Sequence, residues 1–416
     1  EARFDEGLRL GALARGVAGR LADGARETAL LEGRLGDLYL QRGDLERAEA
    51  HIERAIVERA RLDGETSIAH GRSISARATL RFLRGEFEGA LAEYRRALAI
   101  FEEVYGPNHP ALGEVLNNIG AAELSLLRLD AAEGTYRRAL AILRGAHGGS
   151  HPSLATVYSN LGLIAQLQGA FPDALAEFTR AREIYEGHLP ADHPSLGDCW
   201  SDLGNTHLFA GEAAAAEDAY ARALAIYDQS LGTGHERTTR SLILLGQAQL
   251  RGARQAAAEA SFRRAIAEHP RGNGEAAGPR PKDATIRDGA PKDEAPKDEA
   301  PKDAAPKDEA PPVLGGAYSG LGELRLAQGR PREALADLER GLALLRADPA
   351  AAPYEVARAE FALARALRAA APKREAGRSE GLAGEARDHY REVGAAFADE
   401  AAEVDAWLTA SASAAG

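Results

Sequence analysis

The chain contains 416 residues, 45% of them apolar and 27% charged, and its formal net charge at pH 7 is −12. No apolar run approaches the roughly 20 residues that a membrane-spanning helix needs, so the sequence argues against a membrane protein. The negative charge is spread along the chain with no basic face, which argues against nucleic acid as a partner. The charged start, EARFDEGLRL, has no signal-peptide pattern, and a cytoplasmic location is therefore expected.

Cysteine, lysine and methionine are scarce. The lone cysteine, Cys199, excludes an intramolecular disulfide and a cysteine-based zinc site, and burial in the core is its predicted role. Six of the 51 basic residues are lysines, and five of the six lie between Lys282 and Lys307. Because the chain has no methionine, even at position 1, it is expected to be a piece of a longer protein.

The sequence repeats with a period of 42 residues over most of its length. Three ungapped units begin at His109, His151 and His193, and each opens with a His-Pro pair. A glycine or alanine recurs at the same position of six successive units: Gly36, Ala78, Gly120, Gly162, Gly204 and Gly246. A fixed period of this length is typical of a solenoid, in which each unit buries its apolar face against its neighbours.

Each unit is predicted to form two helices joined by a tight turn. Residues 1–24 fall where the second helix of a preceding unit would lie. In the first full unit, Gly36, Ala48 and Ala55 leave room where the two helices approach each other. Large side chains alternate with the small ones at Ile52, Tyr94, Tyr136, Phe178, Tyr220 and Phe262. Residues 1–270 are therefore predicted to form one array, with a partial first unit and six repeats.

After residue 270 the pattern is interrupted and then resumes. Residues 271–312 contain GAPKDEAPKDEAPKDAAPKDEAPP, whose regular prolines and balanced charge predict a disordered or extended linker inserted between two repeats. Residues 313–416 are predicted to hold one further repeat, one degenerate repeat and a C-terminal capping helix. Gly322 occupies the small position of the first of these, and Ala364, 42 residues later, that of the second.

The order of small, small, aromatic and small positions, together with the turn glycine, resembles the tetratricopeptide repeat. The 42-residue length and the HP...NLG...QG pattern are most similar to the kinesin-light-chain-like subgroup, in which the second helix and the loop after it are lengthened. The resemblance implies an all-α fold, a right-handed superhelical α-solenoid of helix-turn-helix repeats. It also implies that the first helices line a concave groove that holds a peptide or a helix.

No motif for catalysis or for cofactor binding is found in the sequence. None of the six lysines lies in a phosphate-binding glycine-rich loop, and the kinase motifs HRD and DFG are absent. The recurring histidines lie on successive loops, where a structural role of the His-Pro pairs is favoured over metal binding: His109, His151, His193 and His235. The sequence therefore predicts no catalytic residue, cofactor or metal.

A second column consists of arginines that each precede a small position of a second helix. Its members are Arg54, Arg96, Arg138, Arg180, Arg222, Arg264 and Arg340. Such a column could form a basic ridge for an acidic partner. A solvated helix face on which the arginines pair with nearby glutamates is the favoured interpretation.

Eleven side chains are predicted, by analogy with the resembling family, to lie on the inner face of the first helices and to contact a partner. They are Asn117, Ala121, Ser159, Leu163, Gln166, Ser201, Asn205, Phe209, Arg240, Gln247 and Arg251. Amide groups there can hydrogen-bond a peptide backbone, and leucine or phenylalanine can hold an apolar anchor. We expect an extended or helical ligand whose acidic end lies toward Arg240 and Arg251. Asn118 and Asn160 are instead predicted to tie adjacent repeats together.

The predicted function is non-catalytic: a protein-protein interaction scaffold that binds a peptide or helical segment, from another protein or from the parent chain, in this groove. An alternative is the C-terminal regulatory region of a larger bacterial signalling protein, such as a serine/threonine kinase whose catalytic domain lies outside this chain. A third interpretation is a self-assembling array, although a monomer is expected. Nucleic acid and membrane are not predicted partners.

Overall fold

The computed structural model describes residues 6–7, 9–11, 13, 24–269, 310–349 and 351–413. In this part of the chain all regular secondary structure is helical. The helices are α1 (Ala25–Arg42), α2 (Leu45–Asp63), α3 (Ile68–Leu83), α4 (Phe87–Tyr105), α5 (Leu112–Ser125), α6 (Leu129–His147), α7 (Pro152–Leu167), α8 (Phe171–Glu186), α9 (Pro194–Phe209), α10 (Ala213–Ser230), α11 (Glu236–Arg251), α12 (Gln255–Glu268), α13 (Gly315–Ala327), α14 (Pro331–Ala347), α15 (Pro353–Ala370), α16 (Ala376–Val393) and α17 (Ala398–Ser413). Short 3-10 turns, Pro312–Leu314 and Ala395–Phe397, precede α13 and α17.

The helices form pairs, with odd-numbered first helices and even-numbered second helices up to α16. Second helices such as α4 and α6 reach 19 residues, which is the lengthening that the sequence predicted. The predicted all-α solenoid of helix-turn-helix repeats is thus confirmed. Among the described helices, none combines the length and the apolar composition needed to cross a bilayer.

The chain divides into two compact units. The first consists of Glu1–Ala165 and Ala176–Leu189, and the second of Gln166–Leu175 and Pro190–Gly416. Within each unit a helix packs against its partner in the pair and against the next helix along the chain, as α2 does with α1 and α3. In the second unit α13 packs against α11 and α12. Residues 270–309, which hold most of the predicted linker, lie outside the described residues, as does most of the helix predicted over residues 1–24.

The two helices of a pair meet through the predicted small and large positions. A Cβ atom built on Gly204 would lie 2.7 Å from the ring of Tyr220, and one built on Gly246 would lie 2.6 Å from the ring of Phe262. Both rings are fully buried. In these two pairs the first helix therefore approaches its partner so closely that the aromatic ring fills the space that any side chain at the glycine would need. Cys199 is buried in α9, as predicted.

Helices α13 and α14 approach each other more closely still. A Cβ atom on Gly341 would lie 2.6 Å from the backbone nitrogen of Ser319 and 2.9 Å from the carbonyl oxygen of Gly315. Besides the hydroxyl oxygen of Ser319, the nearest atoms belong to the backbone of α13. A side chain at this crossing could be accommodated only by separating the helices.

The turn inside each of the first seven pairs contains a residue with a positive φ. Gly43 and Gly169 have φ angles of 80° and 75° at this position. Leu127 and Ala253 occupy the same position of their repeats, with φ angles of 54° and 59°. L side chains enter this left-handed region at an energetic penalty, so the repeat imposes local strain at these two turns.

Replacing Leu127 with glycine is expected to stabilise the first unit by about 0.5–1 kcal/mol. Glycine adopts the left-handed backbone without penalty, and the Leu127 side chain is 61% exposed, so little apolar burial is lost. Urea unfolding followed by circular dichroism would measure the change. The matched variant Gly85→Ala, at a turn glycine with φ 78°, is expected to lose a similar amount. A Leu127→Gly variant less stable than the parent chain would contradict the assignment of strain.

Candidate functional site

The four recurring histidines mark where α5, α7, α9 and α11 begin. The imidazole Nδ1 of His193 accepts a hydrogen bond from the backbone nitrogen of Ser195, and that of His235 accepts from Arg237, both at 3.2 Å. His109 and His151 make the equivalent bonds at 3.2 Å. Each ring therefore satisfies an N–H group that a helix start leaves without a partner, which is a structural role. In the described part of the chain, no group of three or more His, Cys, Asp or Glu side chains is arranged to hold a metal ion.

The arginine column lies on the second helices, and several of its members are paired. Arg264 contacts Asp228 at 2.9 Å, and Arg138 bonds Glu102, in each case across to the preceding second helix. Arg222 lies over the ring of Trp200, 4.5 Å from its centroid. These contacts agree with the interpretation of the column as an ion-paired outer face.

In the first unit, the predicted groove residues lie on α5 and α7. Asn117, Ala121 and Ser159 are partly buried, and Leu163 is 37% exposed. The Asn160 side-chain amide donates to the Asn117 carbonyl oxygen at 3.1 Å. This bond joins two adjacent repeats, as was expected of Asn160, and it also engages Asn117. Of these side chains, Leu163 is the most exposed.

In the second unit, two of the three amide side chains of the predicted groove are hydrogen-bonded within the fold, whereas the buried amide nitrogen of Gln247 has no hydrogen-bond partner among the described residues. Gln166 is buried and its amide donates to the Thr206 hydroxyl at 3.3 Å, so it joins two repeats. Asn205 accepts a hydrogen bond from the Tyr220 hydroxyl at 2.7 Å. Ser201 lies on the same helix, α9, and is partly buried.

The two groove arginines meet carboxylates of this same chain. Arg240 contacts Asp348 at 3.0 Å as well as Glu236 on its own helix at 3.1 Å. Arg251 lies 4.0 Å from Glu400 at the start of α17. The end of the groove that was predicted to attract an acidic ligand thus already faces acidic side chains of the chain's own C-terminal region.

Four of the predicted residues converge on one small space inside the second unit: Asn205, Phe209, Gln247 and Arg251. The opposite wall was not predicted and comes from α15, α16 and the stretch leading into α17, with Tyr354, Arg358, Tyr390, Phe397 and Glu400. The cavity left between the two walls is about 10 Å³, which is close to the space of a single water molecule. The inner face of α9 and α11 is therefore covered by polypeptide.

An aromatic cluster forms the centre of this contact. The Phe397 ring lies 5.0 Å from Phe209 in an edge-on arrangement and stacks on Tyr354 at 5.0 Å between centroids. Tyr390 completes the cluster at 5.9 Å from Phe397. Phe397 is only 4% exposed. Such packing contributes through buried area and through the favourable orientation of the rings.

Charged and ionisable groups surround the cluster. Arg358 pairs with Glu323 at 3.0 Å, and burial raises the pKa of Tyr354 and of Tyr390. On α9, burial together with the negative charge of Asp198 raises the pKa of Asp202 to about 7. The tyrosines are thus neutral, and the site offers an apolar floor with guanidinium groups at its edge.

The residues of the unpredicted wall differ in how readily they could have been predicted from the sequence. Arg358 occupies the same register position in its repeat as Arg240, so the 42-residue pattern could have placed it on the inner face. Phe397 and Glu400 follow a degenerate repeat, outside the register. The sequence carried no signal that they fold back against α9 and α11.

Helix pairs that repeat and stack along the chain define a helical-repeat protein of the α-solenoid class. Two family models, both described as tetratricopeptide repeat, match residues 69–145, 118–187 and 191–267 and residues 33–56. Together these matches cover just over half of the chain, which therefore belongs to the tetratricopeptide-repeat family.

Solved structures with this fold are numerous. The quorum sensor NprR from B. thuringiensis, in its apo form, aligns over 93% of this chain and 97% of its own, with 14% identity and a TM-score of 0.62. The apo form of RapI aligns over 92% and 97%, with 12% identity and a TM-score of 0.57. A protein of Podosopora anserina described as a kinesin light chain with nearly identical TPR-like repeats aligns over 48% and 95%, with 18% identity and a TM-score of 0.44. The comparison with curated proteins finds no match.

Proposed function

We propose that the chain is a non-catalytic scaffold that binds an extended or helical segment of a protein on the inner face of its first helices. The observation that carries this proposal lies in the second unit, where Phe209 and Arg251 contact a ring and a carboxylate of a short stretch of polypeptide. A face that packs against one segment of chain has the shape and chemistry to receive another.

The first unit supports the same proposal. Its inner face presents Ser159 and Leu163 beside the amides of Asn117 and Asn160, with Leu163 37% exposed. A leucine surrounded by small polar groups can hold an apolar anchor while the polar groups bond a peptide backbone. The proposed setting is a cytoplasmic monomer with a protein or peptide partner.

A second candidate is a regulatory region of a larger bacterial signalling protein, such as a serine/threonine kinase. The closed inner face favours it, because binding to a covered surface can be switched by uncovering it. NprR, which has this fold, is a quorum sensor by description. Reading the gene upstream for a glycine-rich loop followed by HRD and DFG motifs tests this candidate, and an upstream frame without them removes the kinase.

Partner capture tests the scaffold function. The full chain, immobilised and exposed to lysate of its own cells, is compared with a variant that changes three inner-face side chains: Ser159→Ala, Leu163→Ala and Arg251→Gln. A specific partner of the parent chain should bind the variant at least tenfold more weakly, which corresponds to about 1.4 kcal/mol.

The matched control changes three exposed side chains of the second helices: Val57→Ala, Asp130→Ala and Arg137→Gln. It should retain the partner with unchanged affinity. Equal loss in both variants, or no loss in either, would place the binding surface elsewhere and reject the proposed groove.

A further inference from the structure

A short stretch between α16 and α17, residues 394–400, turns into the interior of the second unit. Gly394 has a φ of 111°, a backbone that other residues rarely adopt, and the 3-10 turn Ala395–Phe397 follows it. The turn brings the Phe397 ring against the inner face of α9, where it is almost fully buried. We refer to residues 394–400 as the inner segment.

The inner segment contacts the side chains that were assigned to ligand binding from the sequence. Phe397 packs on Phe209 at 5.0 Å between centroids, and Glu400 faces Arg251 at 4.0 Å. The backbone of the segment passes close to the turn between α7 and α8, because a Cβ atom on Gly169 would lie 3.9 Å from the Cα atom of Ala396. The segment therefore makes an aromatic and an ionic contact and passes close to the backbone of a turn, as a bound peptide would.

The composition of the inner segment matches the surface that it covers. Its sequence, GAAFADE, has small residues on both sides of one phenylalanine and then two acidic residues. Small side chains suit the close approach at Gly169, and the carboxylate three positions after the phenylalanine lies next to a guanidinium that is 42% exposed. The remaining cavity of about 10 Å³ leaves no room for a second occupant.

We propose that the inner segment is an internal ligand of the second unit and that the external partner carries the same chemistry. That partner is a peptide segment with one phenylalanine, two small residues before it and a carboxylate at the third position after it. This proposal rests on the scaffold function proposed above and specifies its ligand. Because one surface holds both, the partner binds only when the inner segment leaves, and its apparent affinity is reduced by the fraction of chains that are closed.

A labelled peptide with the sequence of residues 392–401, EVGAAFADEA, tests the proposal by fluorescence anisotropy with the full chain. The parent chain should bind it weakly. Phe397→Ala, which removes the internal anchor, should bind at least tenfold more tightly, and Glu400→Lys, which places a positive charge beside Arg251, about threefold more tightly. The same peptide with alanine in place of its phenylalanine is the control and should not bind any of the three chains.

Two further comparisons locate the binding site and allow for misfolding. Adding Arg251→Glu to Phe397→Ala should reverse the gain in affinity. If Phe397→Ala lowers the helical circular dichroism signal, Glu400→Lys decides the matter, because the Glu400 side chain is partly exposed and lies outside the aromatic cluster.

Equal affinity of the folded variants and the parent chain for the peptide would overturn the internal-ligand proposal. In that case the proposed scaffold function would still stand if the inner-face variant fails to bind the partner that the parent chain binds. Conversely, tighter peptide binding by Phe397→Ala combined with full partner retention by the inner-face variant would reject the scaffold function in the form proposed.

Discussion

Replacing Gly341 with alanine is expected to destabilise the second unit by about 3 kcal/mol. The added Cβ atom would lie 2.6 Å from the Ser319 backbone nitrogen and 2.9 Å from the Gly315 carbonyl oxygen. Backbone atoms inside two helices cannot rotate away as a flexible side chain can, so α13 and α14 must separate. The separation would loosen the packing of the small residues of this pair against the leucines around them. Urea unfolding of the full chain, followed by circular dichroism, measures the loss.

The matched control is Gly134→Ala in α6, where no atom lies within 4 Å of the added Cβ. There alanine relieves the entropic penalty of a glycine in a helix, and a gain of about 0.5–1 kcal/mol is expected. The two substitutions add the same methyl group to the same residue type and should change stability in opposite directions. A Gly341→Ala chain that unfolds at the urea concentration of the parent would show that the two helices can move apart freely.

Replacing Asp202 with asparagine is expected to stabilise the second unit at neutral and alkaline pH. Burial and the neighbouring charge of Asp198 raise the pKa of Asp202 to about 7, from an ordinary value of 3.8. Asp198 lies on the same helix and accepts hydrogen bonds from Tyr227 at 2.6 Å and from Arg237 at 3.1 Å. Asparagine is already present at the same register position of two earlier repeats, as Asn118 and Asn160.

The sign of the pH dependence follows from these pKa values. Between pH 3.8 and about 7 the unfolded chain releases the Asp202 proton while the folded chain retains it, so the stability of the folded state falls as the pH rises. The asparagine side chain does not titrate, so the substitution removes this loss. The stabilisation by Asp202→Asn should be near zero at about pH 4 and reach about 2 kcal/mol above pH 7, reduced from the full pKa shift because the side chain is partly exposed.

Urea unfolding at several pH values between these limits tests the prediction. The measurement at about pH 4 provides the control, because the parent chain and Asp202→Asn should be equally stable there. A gain from Asp202→Asn that is independent of pH would indicate improved packing or hydrogen bonding and not the removal of a buried charge.

The helix pairs and their small and large columns could be predicted because each depends on contacts within one repeat or with its neighbour. Gly204 and Tyr220 illustrate this, since both are read from one 42-residue unit. The positive φ at Leu127 was not predicted, because the residue type disfavours it and only the packing of the repeat imposes it. Polar residue types were also ambiguous: Gln166 was assigned to the groove but bonds Thr206 of the next repeat.

The covering of the groove could not be read from the sequence. Phe209 and Arg251 were placed on the inner face by register. Phe397 and Glu400 reach them because a stretch of chain far along the sequence folds back against α9 and α11. Such long-range contacts leave no periodic trace. Their residues, a phenylalanine among alanines and a glutamate among acidic neighbours, are common in helical proteins.

The positions of the tryptophans determine what intrinsic fluorescence can report about this molecule. The chain has two, and both lie in the second unit: Trp200 beneath Arg222, and Trp407 edge-on to Phe361 at 5.8 Å between centroids. Selective excitation of indole would therefore follow the second unit alone, whereas absorption by the helical backbone follows both. In a repeat protein whose neighbouring units unfold at different denaturant concentrations, the two optical signals would separate. The first unit would give no tryptophan signal, and its unfolding would be visible only in the difference between the two optical signals.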